Sequence, residues 1–293
     1  MEMAQASGLT LLPLNKRNPL LTTSRGTGEV LRHVLDMGFT DITLAIGGSA
    51  TNDGGMGFAS ALGIRFLDDG DRELPGRGID LERVKRIDIS GLDPRIRDTK
   101  LTVMCDVSNP LCGVEGATYT YGTQKGADAD MLKRLESGMC SYRDVIRETF
   151  SVDPDTIPGS GAAGGLGAAL AVFFGVCMKP GIEAVLDLAG FDQMLDGVDL
   201  VVTGEGRADW QSCYGKVMHG IGMRAKAKGI PVAGLCGSLG DGALQLLDHG
   251  ISSLMATVDR PMELHEAMER AEELYYNAAL QMFRLLRAGK EMS

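Results

Sequence analysis

The amino-acid sequence predicts an α/β protein, with a doubly wound parallel sheet from about residue 198 to the C-terminus. Three observations predict it. From Val198 onward, strand-like apolar runs alternate with helical stretches in a plain β/α rhythm. Short apolar runs also empty repeatedly into loops rich in glycine, carboxylates and hydroxyls, at strand C-terminal ends, where such sheets bind their ligands. The composition over 293 residues is 44% hydrophobic, 23% charged and 5% aromatic, which suits a globular chain long enough for two compact domains.

The elements follow in order. Val30, Leu31, Val34 and Leu35 lie at helical spacing over 26–38, with Gly38 as the stop. Ile42, Leu44, Ala45 and Ile46 form a short apolar strand. Residues 57–66 read as a small-residue helix running into a strand at Ile64–Leu67, and Asp68–Asp71 as a solvated turn. Residues 99–107 alternate as a strand, and Pro110 forces the residue before it out of the helical region. Residues 128–150 form an amphipathic helix, 151–158 a loop, and Gly159–Gly167 opens an apolar helix through Phe174. Strands at 200–203, 230–236 and 251–258 then alternate with helices at 216–228 and 243–248. In the final helix, Leu264, Met268, Ala271, Tyr275, Ala278, Met282 and Leu285 form a stripe expected to face the core.

A net charge of −10 argues against nucleic acid or an anionic membrane as partner. An anionic substrate then needs local amides, guanidinium groups or a metal. The six cysteines form no C-x-x-C pair and no metal-ligand spacing with the four histidines, so buried, reduced thiols are expected. The N-terminus has no basic stretch followed by an apolar core, and no apolar run has the length of a bilayer span, so a cytoplasmic protein is expected.

Five loops carry the candidate chemistry: Gly47–Gly57, Cys105–Pro110, Tyr121–Gly126, Gly159–Gly167 and Thr203–Ser212. In the first, Gly47 and Gly48 bring bare N–H groups to an anion, Ser49, Thr51 and Asn52 add donors, and Asp53 can take a proton or a cation. Asp106, at a strand end, suits a metal or a turn cap, and Lys125 suits a phosphate or solvent. Gly159-x-Gly161-x-x-Gly164 matches the dinucleotide fingerprint by letter, but no apolar strand precedes it, so that context fails. Gly164 and Gly165 can still offer amides at a helix start, or simply allow close packing. Thr203-Gly-Glu-Gly-Arg-Ala-Asp209 follows a well-formed strand: Arg207 offers a planar fork for carboxylate or phosphate, and Glu205 or Asp209 a base or Mg²⁺ ligand. Lys216 opens a helix where a cation is unfavourable, a hint of use. Anion cradles, acidic metal ligands and a base together suit phosphoryl transfer, although no Walker A, H-R-D or D-F-G motif occurs.

The chain closely resembles the bacterial glycerate kinase family. The matching runs include Glu2-Met-Ala-x-Ala-Ser-Gly-Leu9, Lys16-Arg-Asn-Pro19, Thr23-Ser-Arg-Gly-Thr-Gly-Glu29 and Ile46-Gly-Gly-Ser-Ala-Thr-Asn-Asp-Gly-Gly55. They continue in order with Cys105-Asp-Val-x-Asn-Pro-Leu111, Gln124-Lys-Gly-Ala127, Gly161-Ala-Ala-Gly-Gly165, Pro180-Gly-Ile-Glu183 and Thr203-Gly-Glu-Gly-Arg207. The resemblance implies Mg²⁺-dependent transfer of the ATP γ-phosphoryl to a hydroxyl of D-glycerate, with 2-phosphoglycerate the expected product and 3-phosphoglycerate the other possibility. It also implies two α/β domains: a smaller inserted one, mostly residues 1–195, and a flavodoxin-like sheet whose C-terminal part is 196–293.

Family members usually carry a further N-terminal stretch with a Pro-Asp-Ser-x-Lys loop and an Ala-Asp-Gly-Gly-Glu-Gly-Thr loop. This sequence begins after both, so the resemblance implies a flavodoxin-like domain expected to lack its opening strands. Thr123 stands where the family commonly has proline, and Ala208-Asp209-Trp210 where it commonly reads Ile-Asp-Ser. Trp210 can narrow the site. The expected catalytic residues are Asp53, Glu205, Arg207 and Asp209. Substrate or phosphate contacts fall to Gly47, Gly48, Ser49, Thr51, Asn52, Lys125, Gly164, Gly165 and Lys216, and the metal to Asp106. ATP and D-glycerate are the expected partners, with a homodimer open. The rival reading is a catalytically silent fragment that only binds ligand or self-associates.

Overall fold

A computed structural model describes residues 1–292. The chain divides into two compact units, Met1–Pro180 and Gly181–Ser293. Residues 181–195, grouped with the N-terminal part on sequence texture, lie in the second unit. The Gly181–Leu188 helix packs there because Arg224 pairs with Glu183, Asp187 and Asp192, and Gly220 leaves room for Ile182.

The first unit is built on a parallel sheet of Asp41–Ala45, Lys100–Met104 and Met178–Lys179, with Lys100–Met104 central. Asp41 stands opposite Lys100 and Ala45 opposite Met104, so the first two strands end level and their loops leave the same edge. The strands read from the sequence hold here: Ile42 and Leu44 of the apolar run and Val103 of the alternating one are buried. Ala129–Phe150 is the long helix. The Asp128 carboxylate caps it by accepting from the Asp130 and Met131 N–H groups, and Ser151, at φ +56°, ends it. Its Leu135, Met139, Tyr142 and Ile146 are almost wholly buried, each contributing about 1.5–3 kcal/mol.

One short turn departs from expectation. Asp68 is buried, not solvated: it accepts from Gly70 N–H and from the N–H and guanidinium of Arg72, and pairs with Arg83. Its carboxyl is held down to about 2, chiefly by the Arg72 backbone N–H.

The second unit carries the predicted parallel sheet, in the order Ser253–Ala256, Val232–Cys236, Val201–Thr203, with every residue of the central strand buried. The final helix differs from the sequence reading. It breaks at Arg270 into Leu264–Glu269 and Ala271–Glu291, and most of the stripe does not meet the core. Leu274 and Met282 point inward, while Leu264, Met268, Tyr275 and Leu285 are exposed. Cys177 is exposed as well, unlike the other cysteines. Among the described residues, no helix is long and apolar enough to cross a membrane.

Candidate functional site

Four of the five candidate loops converge in the first unit. Lys125 Nζ donates to the Thr51 carbonyl at 2.7 Å, and Asn52 Nδ2 to Thr118 Oγ1 at 3.1 Å. Tyr121 donates its hydroxyl to Asn109 Oδ1 at 2.7 Å, Gly54 N–H bonds the Gly164 carbonyl at 2.9 Å, and Gly161 N–H bonds the Asn109 carbonyl at 3.0 Å. Residues far apart in the chain are thus tied by short polar bonds beneath one sheet edge. Gly47, Gly48 and Asp106 are exposed at that edge, and Gly48 has φ +69°. Ser49, Thr51 and Asn52 are buried below them, and the oxygens Thr51 Oγ1, Asn52 Oδ1 and Ser160 Oγ have no protein partner. Buried orphan oxygens lining an amide-rich loop favour a polar ligand or ordered water.

Asp53 is fully buried, where the sequence suggested a group open to substrate. Its carboxylate accepts from Ser24 N–H (2.7 Å), Ser24 Oγ (2.8 Å), Gly55 N–H (3.2 Å), Gly57 N–H (3.3 Å) and Thr23 Oγ1 (3.3 Å). These donors open the Arg25–Asp36 and Met56–Ala61 helices, so Asp53 ties two helix starts to the loop. Burial raises its carboxyl, and the Ser24, Gly55 and Gly57 bonds oppose the rise. Lys125, expected on a loop surface, is likewise buried: desolvation pulls it down from 10.5 to about 7, with Asp53 pulling the other way.

Gly164 and Gly165 serve close approach. A Cβ on Gly164 would sit 2.0 Å from the Thr51 carbonyl oxygen, and one on Gly165 2.8 Å from Gly54 Cα. Both residues and Ala163 have positive φ, so the chain turns left-handed before the helix proper begins.

The fifth loop belongs to the second unit. Glu205 Oε2 accepts from Ser212 Oγ at 2.7 Å, and the Gly237 N–H bonds the Glu205 carbonyl at 3.0 Å. Arg207 is two-thirds exposed and lies 3.8 Å from Asp209, whose other oxygen caps the turn at Gln211 N–H. Lys216 is exposed at the start of the Val217–Ala227 helix, with Nζ 3.5 Å from Gln211 Oε1. Beside Glu205, at the C-terminal ends of all three strands, opens a cavity of about 670 Å³. Gly204–Gly206, Gly237 and Ser238 form its polar side; Met262, Leu264, Met268 and Tyr275 form the apolar one. The stripe expected to meet the core therefore walls a cavity. Sequence reasoning missed this wall, although the stripe itself was the signal. Trp210 is outside this lining and stacks edge-on with Tyr214.

A parallel α/β chain with a glycine-rich loop at one sheet edge and a cavity at strand C-terminal ends has the architecture of a small-molecule-binding enzyme. The chain belongs to the glycerate kinase family, whose model matches residues 1–287. It is 46% identical to a glycerate kinase of Halalkalibacterium halodurans over 95% of this chain and 73% of that one. It is also 46% identical to a glycerate 2-kinase of Escherichia coli K12, over 92% of this chain and 71% of that one. A crystal structure of a candidate glycerate kinase 2 from Salmonella typhimurium LT2 superposes with a TM-score of 0.84 at 43% identity, covering 99% of this chain and 76% of that one.

Proposed function

We propose that this chain transfers the γ-phosphoryl group of ATP to the 2-hydroxyl of D-glycerate, giving 2-phosphoglycerate and ADP. What carries the reading is the junction of four loops beneath one sheet edge, in a chain 46% identical to a glycerate 2-kinase. Residues 1–180 correspond in this proposal mostly to the inserted domain, and 181–293 to the flavodoxin-like one.

The exposed Gly47–Gly48 amides, with Ser49 at the loop's inner edge, take the glycerate carboxylate. Asp53 and Lys125 position this loop from below: one gathers helix-start donors, the other holds the Thr51 carbonyl. In the second unit the apolar cavity takes the adenosine moiety, and Gly204–Gly206 offers amides to phosphate oxygens. Arg207, oriented by Asp209, offsets phosphate charge in that unit. A phosphoryl-transfer transition state asks for positioning and charge neutralisation more than for a strong base.

Mg²⁺ fits the donors present. Asp106 and Glu205 offer carboxylate oxygens just past strand ends, the donor chemistry a hard cation prefers. Asp106 is the side chain assigned to it, and Glu205 the alternative. When bound, the ion offsets phosphate charge.

The test is a steady-state assay of the purified chain with D-glycerate, Mg²⁺ and ATP, the product identified by ³¹P NMR. A 2-phosphoglycerate signal is expected. A 3-phosphoglycerate signal overturns the choice of hydroxyl, and folded protein without turnover overturns the activity.

A further inference from the structure

Next to the Cys105–Pro110 loop, the chain brings Cys112, Glu136 and Cys140 together, with one sulfur or oxygen of each within 4.8 Å of the others. Glu136 and Cys140 lie four residues apart on the Ala129–Phe150 helix, on one face of successive turns. Cys112 belongs to a tight segment: Ala117 N–H bonds the Leu111 carbonyl at 3.1 Å, and a Cβ on Gly116 would sit 2.5 Å from the Cys112 carbonyl carbon. Nothing in the spacing of these residues announced a site, since the fold alone joins them.

Glu136 decides the chemistry. It is only 8% exposed. Its Oε1 accepts from Gly113 N–H at 2.6 Å and lies 3.7 Å from Cys140 Sγ, while Oε2 is buried with no protein donor. A buried carboxylate oxygen left unpaired is costly unless a cation or a proton meets it. A disulfide between the two sulfurs leaves the carboxylate without a cation, whereas one metal ion is within reach of both sulfurs and a carboxylate oxygen. Two sulfurs and one carboxylate are a donor set for Zn²⁺, which takes sulfur at about 2.3 Å and carboxylate oxygen at about 2.0–2.2 Å; Mg²⁺ and Ca²⁺ call for oxygen throughout.

We propose that Cys112, Glu136 and Cys140 bind a thiophilic divalent cation of the Zn²⁺ class, with a water molecule as fourth ligand. Each thiol gives up its proton to solvent as its sulfur joins the metal, so two protons leave, and the three anionic ligands and the ion sum to one negative charge. Arg143, on the same helix and paired with Asp144 and Asp155, adds positive charge nearby, and Asp155 also accepts from the Cys112 N–H. Because each thiol must lose its proton for its sulfur to bind, affinity strengthens as pH rises. The ion would fasten the Ala129–Phe150 helix to the segment following Asp106–Pro110. This assignment is independent of the phosphotransfer reading.

The experiment is a Co²⁺ titration of the full chain after phosphine reduction, followed by absorption spectroscopy. Thiolate-to-cobalt charge-transfer and tetrahedral visible bands should saturate at about one equivalent and be displaced by Zn²⁺. Glu136→Gln keeps the shape and both thiols and should weaken binding roughly tenfold or more. Cys112→Ser and Cys140→Ser should each cut the charge-transfer band by about half or more. The proposal falls if reduced, folded protein gives no band, if the band survives the double serine variant, or if Glu136→Gln binds as the parent does. Should the serine variants not fold, the parent's stoichiometry and the Glu136→Gln titration decide alone.

Discussion

The loop around Asp53 and the loop around Glu205 look alike in sequence: each follows an apolar strand and carries glycines with a carboxylate. In the structure they are opposites. Asp53 is sealed, with five donors on its carboxylate, and its neighbours Thr51, Asn52 and Lys125 are buried. Glu205 borders an open cavity and has one side-chain partner, Ser212. The first loop is preorganised by bonds it cannot lose cheaply, while the second leaves its charged groups, Arg207 above all, in contact with solvent. Substitutions in the first should therefore cost stability, and those in the second catalysis or binding.

The largest effect should come from Asp53→Ala, which strands helix-start donors in a dry site. We expect a loss of about 4 kcal/mol in unfolding free energy, read from urea titration. A loss below about 1 kcal/mol with turnover abolished would move Asp53 from positioning into the chemistry. Glu205→Ala should do the reverse. Its turnover should fall about a hundredfold, roughly 3 kcal/mol of barrier, with stability changed by no more than about 1 kcal/mol. Turnover within threefold of the parent would remove Glu205 from the reaction.

How much of this contrast was legible in the sequence follows from what sets each feature. The sheets and long helices were readable because local patterning fixes them: the amphipathic run over 128–150, the apolar run at Ile42–Ile46 and the alternation over 99–107. The site-bearing loops were recognised by residue type, and four do converge. What could not be read was burial. Whether Asp53 and Lys125 face solvent depends on Thr23–Gly28, Tyr121–Ala127 and Gly161–Gly165 closing over the same loop, which is tertiary information. The stripe from Leu264 to Tyr275 failed for another reason: apolar periodicity does not distinguish a face packed on the core from one that walls a cavity, and these residues line the cavity.

Lys125 sharpens the contrast through pH. Its ammonium titrates near 7 in the folded chain against 10.5 as a free side chain. Above about pH 7 the unfolded chain holds a proton that the folded chain has released, so stability rises with pH through this window. Below it both states are protonated, and the slope from this group vanishes. Between about pH 7 and pH 9, Lys125 should add on the order of 2 kcal/mol, and Lys125→Met should remove that rise. Parallel stability curves for the two proteins would mean that Asp53 keeps the ammonium charged.

The smallest effect, and the one that tests the open side of the comparison, is expected at Tyr275. Its side chain is half-exposed and lines the cavity beside Glu205, so little core packing depends on it. A ring on an apolar wall gains from a flat ligand such as adenine through contact area and stacking, about 1 kcal/mol beyond an alanine. Tyr275→Ala should thus raise the KM for ATP about fivefold, leaving kcat, the KM for D-glycerate and the melting temperature near parent values. Those unchanged readouts matter as much as the shift. A parallel rise in the glycerate KM would mean that the cavity holds the acceptor, and a fall in melting temperature would mean that the exposed ring supports the fold after all.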